Sequence, residues 1–293
     1  MRTHTARICS PVSMLAVVGG VLPANAIVIR HDVADQAYLD FAASEFSSVG
    51  RMIFQDGDSQ FWNGSGTLID SRWVLTAAHV VDDAADTDWF FDTGAGTQRV
   101  QADAVFYHPE WFNDGPVNGD MALVRLSEPI LNVEPTQLFD GATPFGSEVA
   151  LAGYGGSGDG TTGWTGSYDL LRRAGTNVLE TNDPFGFGDE YLMFDFDDPA
   201  TGEATELEAM LMFGDSGGAI MADVDGSWQL IGVNTFIIPN ADEPTDYGMY
   251  GDWMGSTSVE FHRDWIDSVI PAPGSAALIA AGLLGMTRRR RGC

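Results

Sequence analysis

Residues Gly214 to Gly218 read Gly-Asp-Ser-Gly-Gly. A serine set between glycines is either a turn residue or a nucleophile. A serine hydroxyl is a poor nucleophile at neutral pH, so chemistry at Ser216 requires a base beside it and hydrogen-bond donors for a developing oxyanion. Histidine supplies such a base, and the chain holds five. His79 closes the stretch Thr76-Ala77-Ala78-His79-Val80, whose small residues let an imidazole stand in an open groove. Asp120 opens the apolar run Met121–Leu126, which places a carboxylate at the mouth of a buried strand. A partly buried Asp at such a mouth can fix an imidazole tautomer and stabilise its cation. Nucleophile, base and orienting acid are the parts needed for acyl transfer. Taken singly, each has a structural explanation: a turn, a packed histidine, a strand cap. His108 is read as structural, His262 as a packed or solvated residue of a helix face, and His31 has no assignable role.

The elements that must bring these residues together are short β-type runs. Arg51–Phe54, Gly66–Ile69, Arg72–Ala77, Gln98–His108, Met121–Leu126, Glu148–Tyr154, Gly218–Val224 and Trp228–Ile238 are such runs, separated by Gly, Asp, Asn and Pro clusters. The best helical candidate is Ser258–Ile270, with Val259, Phe261, Trp265, Ile266 and Val269 apolar. Gly155–Ser167 reads as a flexible loop. The pattern predicts an all-β chain, an antiparallel barrel or sandwich closed by a C-terminal helix.

The stretches around the three residues resemble the chymotrypsin–trypsin family of serine proteases. "TAAHV", "YHPEWFNDGPVNGDMALVRL", "LAGYG", "GDSGGAI" and "GSWQLIGVNTF" carry the resemblance, over roughly Val49 to Ile270 and in the family's order His, Asp, Ser. It implies two antiparallel six-stranded β-barrels and a serine endopeptidase working through an acyl-enzyme. It assigns attack to Ser216, proton transfer to His79, orientation of His79 to Asp120, and the oxyanion hole to the N–H groups of Gly214 and Ser216. It places Met210 at the base of the primary pocket and Thr235, Phe236 and Ile237 in its wall. An Asp at position 210 would suit Arg or Lys side chains, so the resemblance implies a bias towards small or apolar ones. It also implies an activating terminus. Cleavage after Ala26 would expose Ile27-Val28, whose ammonium would pair with Asp215, although Ile29-Arg30 stands where the family has glycines. The Cys pair that staples the His loop in many animal members is absent.

Other readings use the same residues. Gly-Asp-Ser-Gly-Gly also fits the nucleophile elbow of α/β-hydrolases, with Asp252 and His262 as partners, but that fold needs strands alternating with helices. A catalytically silent, protease-like surface binding module is the non-enzymatic alternative.

The formal net charge is −28, no lysine occurs, and six of the fourteen basic residues lie in the two ends. Such a surface repels nucleic acid and anionic membranes. With only Cys9 and Cys293, the middle of the chain holds no disulfide and no cysteine metal site. No cofactor is expected. The acidic stretches Asp82–Asp88 and Asp189–Glu208 lack EF-hand spacing and read as solvated loops rather than calcium sites. Met1–Ala26 has a positive start, an apolar stretch Met14–Leu22 and an Ala24-Asn25-Ala26 cleavage signal, which predicts a secretory signal peptide. Residues 27–270 form the expected protease domain. Pro271–Cys293 combines prolines, the apolar run Ala276–Met286 and four arginines, and resembles a PEP-CTERM sorting signal or a membrane anchor. The expected partners are protein or peptide substrates, signal peptidase and an exosortase-type sorting enzyme. The expected location is outside a bacterial cytoplasm, secreted or held at the envelope by the tail.

Overall fold

The structure, a computed structural model, describes residues 26–55, 61–82, 87–112, 118–241 and 246–270. The leader and the tail therefore lie outside the described residues, apart from Ala26. A short strand β1 (Val28–Ile29) and a helix α1 (Asp35–Glu45) come first. Six strands follow: β2 (Val49–Gln55), β3 (Phe61–Asp70), β4 (Trp73–Thr76), β5 (Asp88–Thr93), β6 (Gly96–Tyr107) and β7 (Ala122–Leu126). The one-turn helix α2 (Ala78–Val81) separates β4 from β5. These six close into an antiparallel barrel in the order β2-β3-β4-β7-β6-β5. Their inward residues alternate with outward ones, so Leu68, Val74, Trp89, Phe91 and Val124 fill the interior with no exposed surface. Each such side chain contributes about 1.5–3 kcal/mol of burial.

The second half contains β8 (Glu148–Gly153), β9 (Gly158–Asp159), β10 (Gly163–Trp164), β11 (Arg173–Val178), β12 (Tyr191–Asp195), β13 (Ala209–Met210), β14 (Ala219–Val224), β15 (Ser227–Ile238) and β16 (Trp253–Ser258). Helix α3 (Arg263–Val269) closes it. Here β11-β8-β14-β15-β16-β12 form one antiparallel sheet. The two expected six-stranded units are thus present, but the second is a half-barrel where a closed barrel was expected. Its two edge strands meet just beyond β11, where Glu180 N–H donates to Met193 O at 3.0 Å. The antiparallel pairing of both units removes the α/β-hydrolase alternative. A continuous core joins the units, with Leu75, Met121 and Leu123 of the first packed with Ala150, Ala152, Ala219 and Val233 of the second.

Two further expectations need correction, and one helix was not expected. The C-terminal helix starts five residues later than its apolar spacing suggests, because Ser258 pairs with Gly232 as the last residue of β16. Gly155–Ser167 is not a free loop, since β9 and β10 lie within it and pair as β10-β9-β1-β13. Helix α1 escaped notice because only Tyr38 and Ala42 of its residues are buried, too few to mark a helical period. Its position is fixed by charge: the Asp35 carboxylate takes two hydrogen bonds, at 2.6 and 2.9 Å, from the buried Arg173 guanidinium. Among the described residues no helix is long and apolar enough to cross a membrane, and no group of three His, Cys, Asp or Glu is placed to hold a metal ion.

Candidate active site

His79 sits on α2, directly after β4. The α2 turn starts at Ala78, fully buried together with Ala77, and Val81 anchors its other end in the barrel interior. Asp120 lies just before β7 and is 1% exposed. Its carboxylate holds His79 twice. Oδ1 accepts the His79 backbone N–H at 2.9 Å and Oδ2 pairs with ring Nδ1 at 2.6 Å. A carboxylate can only accept at neutral pH, so Nδ1 carries a proton and Nε2 is left free to accept another. The Asp120 carbonyl is held in turn by the Thr257 hydroxyl at 3.3 Å, which ties the first barrel to β16.

Ser216 comes from the opposite unit, in the turn between β13 and β14. The turn is shaped by glycines with positive φ at Gly214 (93°) and Gly217 (81°). Ser65 of β3 clamps it across the interface: its N–H donates to Ser216 O at 2.9 Å and its hydroxyl to Gly214 O at 3.0 Å. Among the described residues, neither the Gly214 N–H nor the Ser216 N–H is engaged by a backbone or side-chain acceptor. Unspent backbone donors at a serine and close to it in the chain are what an oxyanion site requires.

His79, Gly214 and Ser216 line one edge of a cavity of about 970 Å³. Its remaining wall is largely apolar, with Met52, Ile53, Val80, Tyr168, Leu170 and Phe213. Sequence reasoning missed this wall, because its residues come from several distant segments that share no spacing. Two of its members do adjoin the motifs: Phe213, 39% exposed, directly precedes Gly-Asp-Ser-Gly-Gly, and Val80 directly follows His79.

The four residues assigned to the primary pocket are placed elsewhere than in this wall. Met210 is fully buried in the core, paired in register with Val28. The Thr235 hydroxyl is taken up by Val233 O at 2.9 Å and the Thr257 hydroxyl at 2.8 Å. Phe236 packs against Phe187 and Tyr191, with ring centroids at 5.2 and 5.4 Å. Ile237 is packed against the core of the second unit.

Asp215, next to Ser216, is fully buried. Its Oδ1 accepts the Gly155 N–H at 2.7 Å and its Oδ2 the Met212 N–H at 2.8 Å, and the Ile27 N–H also points at it. Gly155 is obligatory, since a Cβ there would fall against the Asp215 carboxylate. Burial pushes the Asp215 carboxyl up to about 7, against the opposing pull of those N–H donors. Ile27 itself has φ 53° and is fully buried. A β-branched residue in that region is strained, at a cost of about 1–3 kcal/mol.

Known proteins resemble this chain in sequence and in fold. The family model described as trypsin matches residues 52–254. The rat (Rattus norvegicus) complement C1s subcomponent is 35% identical over 80 residues, which is 23% of this chain and 12% of that protein. A calcium-dependent serine proteinase of Mesocricetus auratus is 33% identical over 84 residues, 24% of this chain and 12% of that protein. The matched segment is thus about an eighth of the length of these curated relatives. Among solved structures, HL collagenase superposes with a TM-score of 0.58 at 21% identity, covering 78% of this chain and 95% of the collagenase chain. That likeness speaks for the fold alone.

Proposed function

Because this chain belongs to the trypsin family, we propose that it is a serine endopeptidase acting through Ser216, His79 and Asp120. The Ser216 Oγ attacks the scissile carbonyl carbon while its proton passes to His79 Nε2. The carbonyl oxygen becomes an oxyanion held by the Gly214 and Ser216 N–H groups. The C–N bond then breaks, the leaving amine takes the proton from Nε2, and the acyl group remains on Oγ. Water repeats the sequence with His79 as base and frees the acid. The observation that supports this most is the double grip of Asp120 on His79, backbone and ring, across a cavity edge shared with Ser216. The apolar wall of that cavity favours apolar side chains next to the scissile bond.

The reading is tested with fluorophosphonate probes, which form a covalent bond to an activated serine. Wild type labels stoichiometrically, Ser216→Ala does not, and probes carrying apolar recognition groups react faster than one carrying Arg. Persistent labelling of the Ser216→Ala protein removes Ser216 from this role. A preference for the Arg probe removes the apolar assignment.

The export signals belong to the same proposal. The protein is secreted, its tail serves sorting or anchoring, and removal of the leader after Ala26 turns the Ile27 amide into an ammonium. That change relieves the strained φ at Ile27, which is defined only while a residue precedes it. It also gives Asp215 a cationic partner. Before cleavage Asp215 titrates near 7, above its unfolded value, so its contribution to stability is full at acid pH and is lost as pH rises towards and through 7. The loss is on the order of 4 kcal/mol. With the ammonium present this loss disappears. A protein starting at Ile27 is therefore expected to exceed one retaining Ala26 in stability at pH 8, by up to that amount. Urea midpoints should fall more steeply between pH 5 and pH 8 for the longer form, on top of the fall that Glu208, pushed up to about 7 by burial, gives both forms. An equal pH response of the two forms rules the ammonium out.

A further inference from the structure

A chain of buried and half-buried side chains ends on the residue before Asp120 and has no part in the steps above. Gly119 has φ 62°, and its N–H donates to Glu190 Oε1 at 2.7 Å. The same oxygen lies 3.1 Å from His262 Nε2, and His262 is 3% exposed. His262 Nδ1 lies 3.3 Å from His108 Nε2, and the Glu110 N–H points at His108 Nδ1 from 3.4 Å. The Trp265 ring stands edge-on to His108 at 5.0 Å.

The donors in this chain converge on the Glu190 carboxylate, from the two histidines on one side and from the Gly119 N–H on the other. The Glu110 N–H can only donate, so His108 Nδ1 accepts and His108 Nε2 carries the proton. That proton meets His262 Nδ1, which accepts, so His262 Nε2 carries its own proton towards the carboxylate. Both rings are neutral with one tautomer each, and burial pushes His262 down to about 4 and His108 down as well, which keeps them so. Core filling alone accounts for a packed histidine pair. It does not account for a relay ending on the N–H that precedes Asp120, where a Cβ on Gly119 would crowd His108 Nδ1.

The relay also crosses between the two units. Glu190 precedes β12 and His262 caps α3, both in the second unit, whereas His108 and Gly119 flank β6 and β7 in the first. Ser216 belongs to the second unit, and His79 and Asp120 to the first. We propose that Glu190, His262 and His108 are positioning residues, which hold the Gly119–Asp120 turn in register with the half that carries Ser216. This rests on the assignment of Ser216, His79 and Asp120 made above.

The test compares His262→Phe with His262→Gln in the full chain. Rates on a small peptide ester are normalised to active sites by stoichiometric phosphonate titration, and Ser216→Ala is the control. Phe fills the volume but donates nothing, so kcat is expected to fall about 10–100-fold, the scale of a displaced reacting group, while KM stays within about twofold. Gln presents an amide N–H to Glu190, and kcat is expected within about threefold of wild type. Equal kcat in the two variants, whether both normal or both lost, overturns the proposal. If the Phe protein does not fold, Glu190→Ala and Glu190→Gln decide on the same split, since only Gln keeps an acceptor for the Gly119 N–H. A normal kcat per site in Glu190→Ala overturns the proposal in that case. Activity surviving in the Ser216→Ala control sinks the underlying assignment instead, a separate outcome.

Discussion

Replacing Ser216 with Ala is expected to lower kcat by about 10⁶, roughly 8 kcal/mol of barrier, with KM little changed. The hydroxyl is the only atom of the serine that forms and breaks a bond, so its removal ends the acyl-enzyme route altogether. What remains is attack by water in a site whose two backbone N–H donors, unaltered by the substitution, still face the carbonyl, a residue of about 10³–10⁴ over solution. His79→Ala is expected to cost nearly as much, because Ser216 is inert without a base. The informative measurement is the double variant. If the two side chains act as one unit, Ser216→Ala/His79→Ala is no slower than either single variant. Losses that multiply would mean the two residues serve separate steps. A Ser216→Ala enzyme within about a hundredfold of wild type would mean a different nucleophile.

How much of this site the sequence carried depends on how local each contact is. Asp120 and His79 were legible because each sits at a strand boundary marked by its neighbours, small residues before one and an apolar run after the other. The barrel strands were legible for the same reason, as short β runs between turn residues. Ser65 was not, although it clamps the Ser216 turn, because a serine in a strand carries no sign of what lies across an interface. The relay through Glu190 was invisible too. His108, His262 and Glu190 are spread over three elements, and their meeting depends on how the half-barrel docks on the barrel. The four residues assigned to the primary pocket lie outside the wall of the described cavity for a related reason. Met210, Thr235, Phe236 and Ile237 were placed by short matches, and those fix position along the chain but not which side chains face open space. In this chain the core and neighbouring aromatics take up Met210 and Phe236. Helix α1 shows the limit for local structure, being held by one buried Arg173 and an apolar face two residues wide.

Asp120→Asn keeps the size of the side chain and is expected to lower kcat by about 10⁴. The reason lies in the two oxygens. Oδ1 accepts the His79 backbone N–H and Oδ2 pairs with Nδ1, so both positions require an acceptor. An amide has one acceptor and one donor. If its oxygen takes the backbone N–H, its NH₂ faces Nδ1 and forces the ring proton onto Nε2, where it blocks transfer from Ser216. If the amide turns round, Nδ1 keeps its proton but two N–H donors face each other at the backbone. A buried unsatisfied donor costs about 1–3 kcal/mol, so the first arrangement wins and the ring holds the wrong tautomer. Substrate contacts are untouched, so KM should move little. Because Ser216 is intact, a fluorophosphonate should still label this variant to completion, only slowly, whereas Ser216→Ala never labels. A kcat within tenfold of wild type would show that His79 takes its tautomer from another partner, and the double grip of Asp120 would then be a structural tie between α2 and β7.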